Sequence, residues 1–172
     1  IGSALPYLKK AVNARPGLDL FHSTLGEAYA STGQKDLALQ ELQINLELNP
    51  YHLNFYKSRA KIYLTLASTD QKYHVQAAQE LVGARKLAPT DPKLAYNLGL
   101  IYTRLDQTDK SELQFLDAIS LKPNYAEPYY ALTLLYEQTK QLNKIKPMLT
   151  GAKSNLATYS AQLKEKIEKY AN

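Results

Sequence analysis

Four prolines, Pro16, Pro50, Pro89 and Pro123, each close an apolar helical stretch, and they stand 34, 39 and 34 residues apart. A period of this length restricts a chain to architectures that stack one supersecondary unit on the next. Two further series keep the same intervals: the small residues Ala4, Ala38, Ala77 and Ser111, twelve positions before each proline, and the tyrosines Tyr29, Tyr63, Tyr102 and Tyr136. Within a period, Leu25, Gly26 and Tyr29, and then Ala38, Leu42 and Leu48, recur at the three-to-four residue spacing of one helix face. Each unit is therefore expected to be a helical hairpin, with a first helix A and a second helix B. A small residue on helix A (Gly26, Ala60, Gly99, with Thr133 the exception) admits the neighbouring helix, and the tyrosine three positions on fills the space beyond it. Proline ends the unit because it lacks an amide proton and cannot extend the helix before it. Asp36 and Asp109 are expected to cap second helices, and Asp91, directly before Pro92, to cap a first helix.

These residues resemble the tetratricopeptide repeat, whose unit carries Leu-Gly-x-x-Tyr on helix A, small and large apolar residues on helix B, and a closing Pro. The best copy is Leu98, Gly99, Tyr102, Ser111, Phe115, Ala118 and Pro123, and an earlier one is Leu25, Gly26, Tyr29, Ala38, Leu42, Asn45 and Pro50. The resemblance implies an all-α fold, a right-handed superhelix of antiparallel helix pairs. It divides a single array into an orphan helix B at 3–15 and repeats at 19–52, 53–91, 92–125 and 126–157. The orphan helix leads to the expectation that upstream sequence covers the first face.

Three departures from the pattern stand out. Asn45 replaces a small apolar residue on helix B, which implies looser packing or a hydrogen bond. Five extra residues around Leu66 to Gln76 lengthen the second repeat, as an extended turn or an added helical turn. Ala157 stands where the fourth unit should have its proline, so its second helix is expected to run on. Leu156, Tyr159, Leu163, Ile167 and Tyr170 would continue an apolar stripe as an amphipathic capping helix over about 156–170.

The wording of Asn49 to Ala67, the lengthened turn and Leu87 to Tyr102 is also similar to the repeats that follow the membrane domain of bacterial O-antigen ligase-like proteins. That resemblance implies an alternative role as the soluble appendage of a membrane glycan ligase or polymerase. Neither an apolar run long enough to cross a bilayer nor a signal-peptide pattern occurs in this sequence, so compartment and any tether upstream stay open.

Composition narrows the chemistry. Without cysteine there is no disulfide, thiolate metal site or cysteine nucleophile, and His22, His52 and His74 are scattered without a paired carboxylate or nucleophile. No phosphate loop or metal-ligand cluster appears, so neither catalysis nor a cofactor or metal is expected. The net charge of +5 suggests nucleic acid until it is located. Residues 1–139 balance 14 basic against 14 acidic side chains, and the excess lies in the last 33 residues, where seven lysines face Glu165 and Glu168. The tyrosines at repeated positions are core residues and not base-stacking platforms, which makes nucleic acid an unfavoured partner.

The expected function is a protein-interaction scaffold that binds an extended, acidic peptide segment in a concave groove. In a tetratricopeptide array the A helices line that groove, and positions off the buried stripe face into it. The candidate binding residues are Asn54, Lys57, Lys61, Lys93, Tyr96, Asn97, Arg104 and Tyr130, with Ser23, Thr24, Glu27, Glu127 and Glu137 among the flanking positions. The cations would receive a carboxylate and the tyrosines would add flat contact area. The simpler alternative is that Lys57 and Lys61 pair with Glu27 on the next helix, a contact worth ~0 to 1 kcal/mol. The carboxylate clamp by which some tetratricopeptide proteins hold chaperone C-termini is excluded. Lys57 and Asn97 fit it, but Lys61, Glu127 and Ala131 occupy positions that need Asn, Lys and Arg.

Overall fold

The computed structural model describes residues 2–171, which form ten α-helices, two short 3-10 turns and no strand among them. The chain divides into two compact units, one reaching Ala88 and the other starting at Pro89.

In the first unit a 3-10 turn, Gly2–Ala4, leads into α1 (Leu5–Ala14). Two hairpins follow: α2 (Asp19–Ser31) with α3 (Lys35–Leu48), and α4 (Leu53–Leu66) with α5 (Tyr73–Leu87). Leu25, Tyr29, Ala38, Leu42, Ile62, Leu66 and Tyr73 form the core, against which Leu5, Leu8 and Val12 of α1 are partly buried. The five extra residues are distributed. α4 and α5 are each one residue longer than α2 and α3, and the turn 67–72 has six residues where 32–34 has three. Neither an added helical turn nor a longer loop alone describes the insertion.

The second unit contains the hairpin α6 (Pro92–Arg104) and α7 (Thr108–Leu121), then α8 (Ala126–Gln138), a 3-10 turn at Leu142–Lys144, α9 (Ile145–Asn155) and α10 (Ala161–Tyr170). Phe115, Tyr129, Leu132, Tyr136, Ile145, Leu149, Leu163 and Ile167 make its core. Gly99 lies so close to the Phe115 ring that a Cβ there would come within 2.5 Å of it.

Three of the four hairpin turns share one device. Gly33, Asp106 and Lys140 take positive φ of 77°, 55° and 58°, and the following glutamine, Gln34, Gln107 or Gln141, donates its N–H to the carbonyl of Tyr29, Tyr102 or Tyr136 at 2.9 Å. This left-handed helix ending satisfies carbonyls that the A helix would otherwise leave open. It also explains why two expected caps are not caps. Gln34 and Gln107 end one helix and start the next, so Asp36 and Asp109 lie inside the first turns of α3 and α7 and make no capping bond. There their charge complements the helix dipole. Asp91 does cap, accepting the Lys93 N–H at 2.9 Å.

The expected run-on of the last helix does not occur. α9 stops at Asn155, and Leu156, extended at φ −101° and ψ 123°, turns its side chain into the core. Residues 156–160 carry the chain across to α10, whose first turn is capped by the Ser160 hydroxyl accepting from the Leu163 N–H at 3.2 Å. A cap and an extended backbone outweigh the continuous apolar stripe, which is thereby split between Leu156, the linker residue Tyr159 and the buried Leu163 and Ile167 of α10. α10 packs on α8 and α9.

Candidate functional site

The polar interior of the first unit accounts for several residues that could have carried chemistry. Arg59 is fully buried in the A-helix slot held by Leu25, Leu98 and Leu132 in the other repeats. Its Nε donates to Glu80 at 2.8 Å, its Nη1 to the Asn45 amide oxygen at 3.4 Å and its Nη2 to the Pro50 carbonyl at 3.3 Å, while the guanidinium lies 4.6 Å from the Tyr56 ring centre. Asn45, also fully buried, donates to the Asp19 carbonyl at 3.0 Å, so the hydrogen bond suggested by its position is present. His22 bridges Glu41 at 2.6 Å and the Pro16 carbonyl at 2.8 Å. In the second unit the Tyr129 hydroxyl donates to the Pro123 carbonyl at 3.0 Å. A buried polar side chain of the next A helix thus meets the carbonyl of the closing proline at Pro16, Pro50 and Pro123. Arg59 was not singled out from the sequence; the signal that points to it is an arginine in a leucine slot beside Asn45 in an alanine slot.

His52 lies against Phe55, with ring centres 4.9 Å apart, and the His74 Nδ1 is 3.2 Å from the Gln71 carbonyl. No group of three metal-ligating residues occurs among the described residues.

Of the candidate binding residues, Asn54, Lys57 and Lys61 lie on α4 of the first unit. Asn54 is exposed and Lys57 half-buried. Lys61 donates to Glu27 at 2.5 Å, and Ser58 holds the other oxygen of the same carboxylate at 2.6 Å, so Lys61 is already engaged. Ser23 does not face a groove: it is buried, its hydroxyl donating to the Leu20 carbonyl.

In the second unit Lys93, Asn97 and Arg104 are exposed along α6, and the Lys93 and Arg104 side chains make no ion pair among the described residues. Tyr96 and Tyr130 are half-buried and line one cleft of about 340 Å³ together with Ala126, Glu127, Thr158, Tyr159 and Ser160. Residues 158–160 were not readable as part of a site, because their place depends on the break after α9. The one signal was Ser160, a cap residue three positions before Leu163.

Burial raises the Tyr96 phenol above its ordinary range, and the Glu127 charge raises it further, against a lowering by Arg104. Tyr125, which meets Tyr96 edge-on at 5.4 Å, is pushed up to about 12 by burial, then Glu127, Tyr96 and Asp91. Glu127 is exposed at the start of α8 and makes no ion pair or hydrogen bond among the described residues. Glu137 differs, being held by Lys166 at 2.7 Å, Tyr170 at 2.8 Å and Lys169 at 3.5 Å. Lys144 similarly reaches Glu112 at 2.7 Å. Part of the basic excess of the last 33 residues is thus spent on acids of the same unit.

Residues 92–125 match the family model of the tetratricopeptide repeat. No curated protein matches the chain in sequence. Among solved structures, MamA (residue 41 to the end) from Desulfovibrio magneticus RS-1 superimposes with a TM-score of 0.74 at 21% identity, over 89% of this chain and 84% of that one. Another MamA structure gives 0.72 at 23%, over 97% and 84%. TTC0263, a thermophilic tetratricopeptide protein of Thermus thermophilus, gives 0.65 at 22%, over 98% and 89%. The fold is that of tetratricopeptide-type helix pairs.

Proposed function

We propose that the chain is a non-catalytic interaction scaffold that holds an extended segment of a partner protein, with an acidic group of that segment on Lys93, Asn97 and Arg104 of α6. The observation that carries this reading is the exposed face of α6, where two cations without ion pairs among the described residues and an amide stand beside the half-buried Tyr96. Charge-assisted bonds to a carboxylate give such a face its preference, and the tyrosine adds contact area. The fold supports the reading as well, since tetratricopeptide arrays serve as interaction scaffolds. On α4, Lys61 is the weakest of the candidate residues because Glu27 occupies it.

Capture of partners from a lysate, repeated with a Lys57, Lys61 and Arg104 to Ala variant and with Lys93→Glu, tests this. The expected result is a partner that is lost from both variants and whose affinity falls as salt shortens the screening length from ~10 Å at 0.1 M to ~3 Å at 1 M. Retention by both, with loss on substitution of Lys164, Lys166 and Lys169, would move binding to α10. The alternative, an appendage of a membrane glycan ligase, rests on the similarity of segments 49–67 and 87–102 to O-antigen ligase-like proteins. No helix among the described residues is long and apolar enough to cross a membrane. Hydrophobic spans encoded upstream in the parent gene would favour that alternative.

A further inference from the structure

We propose that the cleft lined by residues 158–160 binds a basic side chain, arginine or lysine, of the partner segment, between the rings of Tyr96, Tyr130 and Tyr159 and with Glu127 as its counter-ion. This deepens the scaffold reading and rests on it, by adding a cation to the acidic group assigned to α6.

Three observations converge. The first is size: about 340 Å³ lies at the lower end of ligand pockets, which suits one long side chain. The second is charge. Glu127 stands at the cleft without a partner among the described residues, whereas Glu27, Glu112 and Glu137 are each taken by lysines of the chain. The third is the use this chain makes of tyrosine. Lys9 lies over Tyr29, Lys110 over Tyr102, Lys122 over Tyr125 and Lys144 over Tyr136, all within 5.6 Å of the ring centre. Among the described residues Tyr96, Tyr130 and Tyr159 have no such cation, although they gather at one cleft. The negative face of an aromatic ring attracts a cation, and a carboxylate beside it adds to that attraction.

The test uses the whole chain with labelled tyrosines and follows ring resonances by NMR while an acetyl-Gly-Arg-Gly-amide probe is added. Matched probes carry citrulline, which keeps the shape without the charge, or glutamate. Saturable shifts of Tyr96, Tyr130 and Tyr159 are expected with the arginine probe, about fivefold or more weaker with citrulline. Glu127→Gln, at an exposed position with no internal bond to lose, should reduce the arginine probe to the citrulline level. Equal binding of arginine and citrulline, unchanged binding by Glu127→Gln, stronger shifts with glutamate, or no saturable shift would each overturn the proposal. A partner that is lost on Lys93→Glu but retained by Glu127→Gln would leave the scaffold standing and remove the cleft from it.

Discussion

The guanidinium of Arg59, with no exposed surface, donates to Glu80 across 2.8 Å from a slot that holds leucine in the other A helices. Removing one partner of such a pair leaves a buried charge unanswered. Glu80→Ala should therefore destabilise the protein by about 3 to 5 kcal/mol in urea unfolding. Replacing the group together, Arg59→Leu with Asn45→Ala and Glu80→Gln, should cost far less, because it restores the apolar slot. If the triple variant is the less stable of the two, the ion pair contributes more than its own desolvation cost.

The left-handed turns give a stabilising substitution. Lys140 sits at φ 58° with an exposed side chain, in the place where the first hairpin has Gly33. A side chain there costs about 1 to 2 kcal/mol, partly recovered on folding because glycine loses more backbone entropy. Lys140→Gly should raise stability by about 0.5 kcal/mol, and Asp106→Gly by less, since aspartate tolerates this region better. Gly33→Ala should lower it. A fall in melting temperature with Lys140→Gly would contradict the assignment of this ending.

Two glycines at equivalent positions should respond differently. At Gly99 an added methyl meets the Phe115 ring at 2.5 Å, whereas at Gly26 the nearest atom is the terminal methyl of Ile62 at 3.1 Å. Gly99→Ala should cost about 1 to 3 kcal/mol by overpacking. Gly26→Ala should be close to neutral, because the Ile62 end can shift, the Glu41 Cβ at 3.3 Å is only slightly too near, and alanine favours helix by about 1 kcal/mol. Thermal melts of the two variants side by side decide this.

Acid should loosen the attachment of α10. Burial alone would raise the Glu137 carboxyl, but hydrogen bonds from Lys166 and Tyr170 and the charges of Lys166 and Lys169 outweigh it and hold it below its ordinary value. A depressed carboxyl contributes stability that is present above the unfolded pKa of about 4.3 and lost as pH falls through the folded value. The contribution is about 1 kcal/mol at most, given the solvent contact of these groups. The stability gap between the parent and Glu137→Gln should therefore be present at pH 7 and close below pH 4. A gap that persists at pH 3 would show that the glutamine acts by shape and not by charge.

The helix pairs were legible because the proline period and the Leu, Gly and Tyr stripe are set by packing geometry that repeats along the chain. Asn45 stood out for the same reason, as a polar residue in a slot the pattern reserves for a small apolar one, and of the two expectations, looser packing or a hydrogen bond, the hydrogen bond is present. Among the bases of the first unit, the pairing of Lys61 with Glu27 stood in the sequence reading as the simpler alternative, whereas Arg59 was missed. Lys61 and Arg59 lie two apart on α4, yet one is an exposed partner of Glu27 and the other a buried partner of Glu80, and only the helix phase separates them. The cleft was partly readable: Tyr96 and Tyr130 follow from the A-helix register. Tyr159 does not, because the periodicity continues unbroken through a segment where the backbone is not helical. Caps and turn hydrogen bonds act over three or four residues, and a stripe counted over fifteen does not register them.

The proline carbonyls have a consequence for how this chain can change over generations. Repeat arrays commonly lengthen when a unit is copied in place, which requires that any unit fit behind any other. Here Pro16 is met by histidine, Pro50 by arginine and Pro123 by tyrosine, and Arg59 also needs the amide of Asn45 from the unit before it. A copy of residues 53–91 inserted after itself would bring its arginine behind Ala84, the counterpart of Asn45, which has no amide to offer. The order of these units is thereby fixed by chemistry inside them, and an in-frame duplication of the second would meet an immediate folding penalty.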